Sequence, residues 1–205
     1  MSNAFNRSFA KRRYKRLFVI SCEGYCTEPE YFEYLQQLNP AACLKIVKKE
    51  KGSAPQKVLE RAKRAIKSGT FGVRSGDEVW CVLDRDCWSE KDLREVETWA
   101  NAHSKDGITR GCALSNPKFE LWLLLHFEDT SLQLTVTQCD KKLKRWMPHY
   151  KKHLTAPKSF SRELIENAIA RAEKAETGQS LLQSQGTNVH RLVKSFLSIR
   201  EREPK

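Results

Sequence analysis

Short apolar runs of strand length alternate with stretches of helical periodicity along the first two thirds of the chain, and nothing else in the sequence constrains the fold as tightly. Leu17–Cys22, Leu44–Val47, Glu78–Leu83 and Ile108–Leu114 are the strand-like runs, nearly continuous in apolar residues as expected of strands covered on both faces. Between them the spacing predicts helices over 27–38, 54–67 and 90–103. Thr27 and Glu30 have capping-box spacing, with Tyr31, Tyr34, Leu35 and Leu38 on one face. Val58, Leu59, Ala62, Ala65 and Ile66 form the inward face of the second helix. Such alternation implies an α/β fold, a mostly parallel sheet with helices on both faces.

After Ser115-Asn116-Pro117 comes an almost wholly apolar helical stretch, 119–127, expected to be buried on most sides. Beyond it the pattern is helical and basic, over about 136–147, 160–176 and 187–200, with Thr187 as the cap of the last helix. The expected organisation is therefore a basic N-terminal arm (1–16), an α/β core (17–128) and a helical extension (129–205) packed on that core. Ser2, Asn3 and Ala4 look like a tag scar.

Hydrophobic residues make up 40% of the 205 and charged residues 30%, which suits a chain with a real core. No apolar run approaches the ~20 residues of a membrane span, and no secretory leader is expected. Seven cysteines (22, 26, 43, 81, 87, 112, 139) are scattered and form no CxxC pair, the usage of reduced thiols in a cytoplasmic protein rather than of a zinc site. The net charge of +12 favours a polyanionic partner, nucleic acid first, although a basic surface also serves solubility or an acidic protein. Arg12, Arg13, Lys15 and Arg16, interleaved with aromatic residues in the arm, are candidate phosphate contacts, as are Arg85 and Lys118. Lys141, Lys142, Lys144, Arg145, Lys151 and Lys152 either line a groove or form a solvated face.

Acids end two of the buried strands: Glu23 the first, Asp84 and Asp86 the third. In open parallel sheets ligands bind beyond those strand ends. Phosphodiester hydrolysis needs a metal that polarises the phosphate and lowers the pKa of the attacking water, and Mg2+ or Mn2+ takes a few hard carboxylate oxygens. Two residues apart, Asp84 and Asp86 face one side of an extended backbone, with Arg85 turned away or toward a phosphate. A strand-end acid also caps helices and makes turns, and a receiver-type phosphoacceptor gathers acids similarly in shorter, acidic domains. Glu120, expensive to bury among apolar neighbours, is a fourth candidate carboxylate or a dipole-satisfying residue at a helix start. Asn116 reads as a turn residue, and His126 as a core or surface histidine rather than a ligand.

Four separated motifs recur in the order found in one known family: Leu17–Cys22 with Glu23-Gly24, Thr27-Glu28-Pro29 and Tyr31-Phe32; Val79–Val82 into Asp84-Arg85-Asp86; Ser115-Asn116-Pro117 with Phe119 to Phe127; and Thr187 to Val193. Over about residues 12–195 the chain resembles the RloB-like family. The resemblance implies a Toprim-related fold, bacterial phage-defence or restriction-associated loci, and an ATPase partner encoded alongside. It implies a divalent ion (Mg2+ or Mn2+) on Asp84 and Asp86, with Glu23 as general base or metal-associated acid. The chain itself carries no Gly-x-x-x-x-Gly-Lys loop and no tyrosine placed as a topoisomerase nucleophile. The leading expectation is a nuclease acting on DNA or RNA, with Glu23, Asp84, Asp86 and Glu120 as catalytic residues. Its rivals are a non-catalytic subunit that binds nucleic acid or an ATPase, and a nucleotidyl transferase sharing the same metal site. A homo-oligomer is compatible with all three.

Overall fold

The computed structural model describes residues 14–50, 52–85, 88–103, 105–130, 134–151, 160–176 and 178–200. Four parallel strands, β1 (Leu17–Cys22), β2 (Cys43–Ile46), β3 (Glu78–Asp84) and β4 (Thr109–Asn116), alternate with the helices α1 (Thr27–Leu38), α2 (Pro55–Lys67) and α3 (Glu90–Asn101). Then follow α4 (Glu120–Leu124), α5 (Val136–Trp146), α6 (Arg162–Ala175), the two-residue strand β5 (Gly186–Thr187) and α7 (Val189–Ser198). The order across the sheet is β2-β1-β3-β4-β5, and β5 alone runs antiparallel. This is the mostly parallel α/β architecture that the alternation of runs implied.

Alternation along each strand divides the core into two layers. Phe18, Ile20 and Cys22 of β1, with Trp80 and Val82 of β3, face α1, α4, α6 and α7, meeting Tyr31, Phe32, Trp122, Ile165 and Phe196. Leu17 and Val19, with Val79, Cys81 and Leu83, face α2 and α3, meeting Val58, Leu59, Leu93 and Val96. Residues of α5, α6 and α7 thus share one core with the sheet. Every residue from Glu120 to Leu125 is buried, as the apolar stretch demanded. It is shorter as a regular helix than expected, because its end tightens into i→i+3 bonds, His126 N–H to Leu123 (3.2 Å) and Phe127 N–H to Leu124 (3.0 Å).

Two expected caps are not made. The cap position of α1 is Cys26, so Thr27 already lies inside the helix and makes no capping box with Glu30. Likewise Asn188, not Thr187, precedes α7. Thr187 belongs to β5, where its hydroxyl meets that of Ser115 at 2.9 Å. Asn116 does hold a turn: its side-chain amide donates to the carbonyls of Leu181 (3.0 Å) and Ser184 (2.8 Å), tying the segment before β5 to the end of β4. The following Asn116–Pro117 peptide is cis. His126 is a core residue, between the Tyr31 hydroxyl (3.2 Å) and the Trp122 carbonyl (3.0 Å), and burial lowers it to about 3, so it stays neutral.

The docking of α7 is directly testable. Phe196 is fully buried, edge-on to Phe18 at 5.2 Å. Phe196→Ala should destabilise the whole chain by about 3–5 kcal/mol, read from the urea unfolding midpoint, because cavity and transfer losses add.

Candidate active site

The sheet's topology decides where a site can form. From β1 the chain moves outward to β2, then crosses back to β3 on the other side of β1, so the β1–β3 boundary is the point where strand order reverses. The loops leaving those two strands diverge and open a crevice at their C-terminal ends. Glu23 follows β1 and Asp84 ends β3. They meet at that point: the Asp84 backbone N–H donates to Glu23 Oε2 at 3.1 Å. The other oxygen, Oε1, accepts the Trp88 indole N–H at 2.7 Å. The backbone of Glu23 is fixed as well, its N–H donating to the Val82 carbonyl at 2.9 Å while Arg61 of α2 donates to the Cys22 carbonyl at 2.9 Å.

The cleft above, about 350 Å³, is lined by four carboxylates: Glu23, Asp84, Glu120 and Glu28. Glu120 is 6% exposed and Glu28 5%. Glu28 lies on the first turn of α1, and its carboxylate is drawn over the β1–α1 turn, where Oε1 accepts the Gly24 N–H at 3.1 Å. A Cβ on residue 24 would stand 2.0 Å from Glu28 Oε2, so only glycine admits the carboxylate there. Burial raises the Glu28 carboxyl above its ordinary range, the Glu28 and Gly24 backbone N–H groups opposing and the Glu120 and Glu23 carboxylates adding to the rise.

Glu120 is held chiefly by a residue 30 positions further along the chain. Tyr150, beyond α5, donates its hydroxyl to Glu120 Oε1 at 2.8 Å. Having one proton, that hydroxyl must accept from Thr27 Oγ1, 3.0 Å away. Lys118, buried, lies 3.6 Å from Glu120 Oε2 and 2.8 Å from Asp140 of α5. Burial works against its charge, but the Asp140 hydrogen bond and the carboxylates of Glu120 and Asp84 prevail and raise its pKa. On the opposite wall Lys49 donates to the Glu23 carbonyl and lies 3.6 Å from the centre of the Tyr25 ring.

Of the expected site residues, the structure brings Glu23, Asp84, Glu120 and Lys118 to one cleft. Asp86, Arg12, Arg13 and Lys152 lie outside the described residues. Lys15 and Arg16 are placed at the opposite, N-terminal end of β1, where Lys15 donates to the Pro40 carbonyl at 2.6 Å and Arg16 pairs with buried Glu78 at 2.8 Å. Arg85 spends its guanidinium on the carbonyls of Leu182 (3.3 Å) and Trp88. Lys142 pairs with Glu128 at 2.6 Å, and Lys141, Lys144, Arg145 and Lys151 are exposed. The residues sequence reasoning missed are Glu28, Lys49, Trp88 and Tyr150. Only Glu28 left a signal, an acid five positions after Glu23 within the Thr27-Glu28-Pro29 motif.

Among the described residues no three His, Cys, Asp or Glu side chains form a ready-made metal cage. The donor chemistry nonetheless fits a hard divalent cation, because several carboxylates crowd one cleft and magnesium takes only one or two of them, keeping its waters. The described cysteines are free thiols. Among the described residues no helix is long and apolar enough to cross a membrane.

Two outcomes follow from the crowding. Glu28→Gln keeps the acceptor for Gly24 but removes a charge. A carboxyl raised in the native state contributes stability that is present below the unfolded value and lost as pH rises through the native one. In chelator, therefore, the variant should melt above wild type by a margin that grows from mildly acidic to neutral pH, and it should gain less from added Mg2+ or Mn2+ in thermal melts. Gly24→Ala should leave the melting temperature within about 2 °C, since the clash is with the flexible end of a side chain, while it weakens that metal-induced shift by displacing the Glu28 carboxylate.

A scan against protein-family models matches the one described as RloB-like protein over residues 18–196. No curated protein and no solved structure matches the chain.

Proposed function

The chain belongs to the RloB-like family, and from that premise we propose that it is a divalent-metal-dependent nuclease of Toprim type, hydrolysing phosphodiester bonds of DNA or RNA. We place its action in the cytoplasm, in a bacterial phage-defence or restriction-associated system, alongside an ATPase partner. The observation that carries the reading is the meeting of Glu23 and Asp84 at the strand-order reversal, with Glu28 and Glu120 lining the same cleft. Carboxylates in such number, two of them buried and two half-buried, oppose one another unless a cation joins them.

Glu23, Asp84 and Asp86 would hold a Mg2+ or Mn2+ ion, which when bound supplies charge at the phosphate oxygens and a more acidic water. The chain's own residues then divide the remaining work. Glu23, with both oxygens already accepting hydrogen bonds, is suited to keep its orientation fixed. Glu28, raised and therefore a stronger base than an ordinary carboxylate, is suited to accept the proton the attacking water loses. As the water oxygen bonds to phosphorus and the ester oxygen leaves, the Lys118 ammonium offsets charge on the phosphoryl oxygens. Tyr150 and Thr27 keep Glu120 aimed at the cleft.

Asp84→Ala and Asp86→Ala should each lower magnesium-dependent cleavage at least about a hundredfold, since several kcal/mol of transition-state charge stabilisation go with the ion. Nucleic-acid binding should persist. The assay pairs each protein with DNA and RNA substrates, with and without the ATPase encoded alongside. Undiminished cleavage by both variants would sink the assignment. Absence of cleavage under every condition, with a partner complex that survives loss of Asp84, would instead establish the non-catalytic subunit.

A further inference from the structure

We propose that the cleft takes a single-stranded stretch of nucleic acid and that Tyr25 is its base-stacking platform; the substrate class named here rests on the nuclease reading above. Tyr25 occupies the β1–α1 turn, two residues after Glu23 and three before Glu28, and lines the same cleft as both. It is 65% exposed. A turn at that place is served by small polar residues, and an aromatic ring so exposed contributes little apolar burial to the fold beyond its contact with Lys49.

The other exposed large side chains have different surroundings. Tyr14 is hydrogen-bonded to Asp77 under the Arg74 guanidinium, and Trp146 stacks on Phe127 and donates to Glu128. None of them, nor Val136, lines the cleft.

Three properties of the ring's surroundings select a nucleobase. One face carries the Lys49 ammonium, 3.6 Å from the ring centre, and Lys49 is itself anchored on the Glu23 carbonyl, so the ring is oriented relative to the acids. The ring's high exposure leaves contact area for a planar group, and the same lysine presents positive charge to a neighbouring phosphate. Among the described residues the rest of the lining is mainly charged and polar, with Phe119 as the one other aromatic ring, which suits a stacked base and its phosphates better than an apolar peptide.

Burial of two of the acids, with Glu23 and Asp84 half-buried beside them, then disfavours a closed duplex. The carboxylates of Glu28 and Glu120 lie on residues 5% and 6% exposed, below the rim. A duplex holds both its backbones on a wide rigid cylinder, and would have to unstack to bring a phosphodiester to that floor. A single strand rotates freely about its backbone and can place one phosphodiester at the acids while the adjacent base lies on Tyr25. The net charge of +12 draws either form to the surface; the cleft discriminates between them.

The test uses the full chain, with calcium replacing magnesium so that binding is read without cleavage. Labelled oligothymidylate and oligouridylate of about 20 nucleotides, and a hairpin duplex of similar mass, are compared by fluorescence anisotropy at fixed salt. The single strands should bind at least about tenfold more tightly than the hairpin. Tyr25→Ala should weaken single-strand binding roughly 5- to 100-fold, and Tyr25→Phe should keep it within about threefold of wild type. Equal or tighter binding of the duplex, or wild-type binding by Tyr25→Ala, would overturn the proposal. Cleavage assays separate the two readings. If Asp84→Ala abolishes cleavage while Tyr25→Ala binds normally, the single-strand platform falls and the nuclease stands. If nothing is cleaved yet binding depends on Tyr25, the nuclease falls and the platform stands.

Discussion

Four carboxylates gathered where two parallel strands end repel one another, and much of the architecture around them holds that arrangement in place. Three of these acids are fixed by donors from separate parts of the chain: Glu23 by the Asp84 amide and the Trp88 indole, Glu28 by the Gly24 amide, Glu120 by Tyr150. Two lysines supply opposing charge, Lys118 from the turn after β4 and Lys49 from the segment after β2. A cluster built this way costs stability in the native state, and sites that retain such a cost are where proteins concentrate function.

The same constraint ties the C-terminal third of the chain to the cleft. Lys118 is held by Asp140 of α5, and Glu120 by Tyr150 in the turn beyond it. Residues after α4 therefore do more than cover the sheet: they set the orientation and the charge of groups at its strand ends. Packing enforces this, because Leu143, Phe160, Ile165 and Phe196 belong to the same core cluster as Phe18 and Trp122. A shift of α5 relative to the sheet would move Asp140 and Tyr150 together, and so alter Lys118 and Glu120 at once. Any partner that bears on these helices has a physical route to the site.

What the sequence made legible was what depends on period and length. Buried parallel strands read as apolar runs, so β1 to β4 and the acids that end them could be located without coordinates. The helix faces of α1 and α2 were visible for the same reason. What could not be read was anything set by contacts distant along the chain. Tyr150 is 30 residues from Glu120, and nothing local marks it. Strand β5 has two residues and takes its conformation from pairing with β4, not from any propensity of Gly186 and Thr187. The capping box at Thr27 failed because the helix begins one residue earlier than the spacing suggested, with Cys26 at the cap and Thr27 already inside.

Charge was the least local signal of all, and the most easily misassigned. Arg16, Arg61, Arg85 and Lys118 all counted toward the net charge of +12, yet each is spent inside the fold: on Glu78, on the Cys22 carbonyl, on the Leu182 carbonyl and on Asp140. Arg61 shows what such a cation does. Only 3% exposed, it clamps the last carbonyl of β1 and so sets the backbone from which Glu23 projects. A basic composition thus contains two populations, one that creates a long-range field and one that builds the acidic cleft. A net field of this kind favours a polyanion without regard to its form. Under the proposed function, selection among polyanions would fall to the few groups that line the cleft, whose identity only the folded chain discloses.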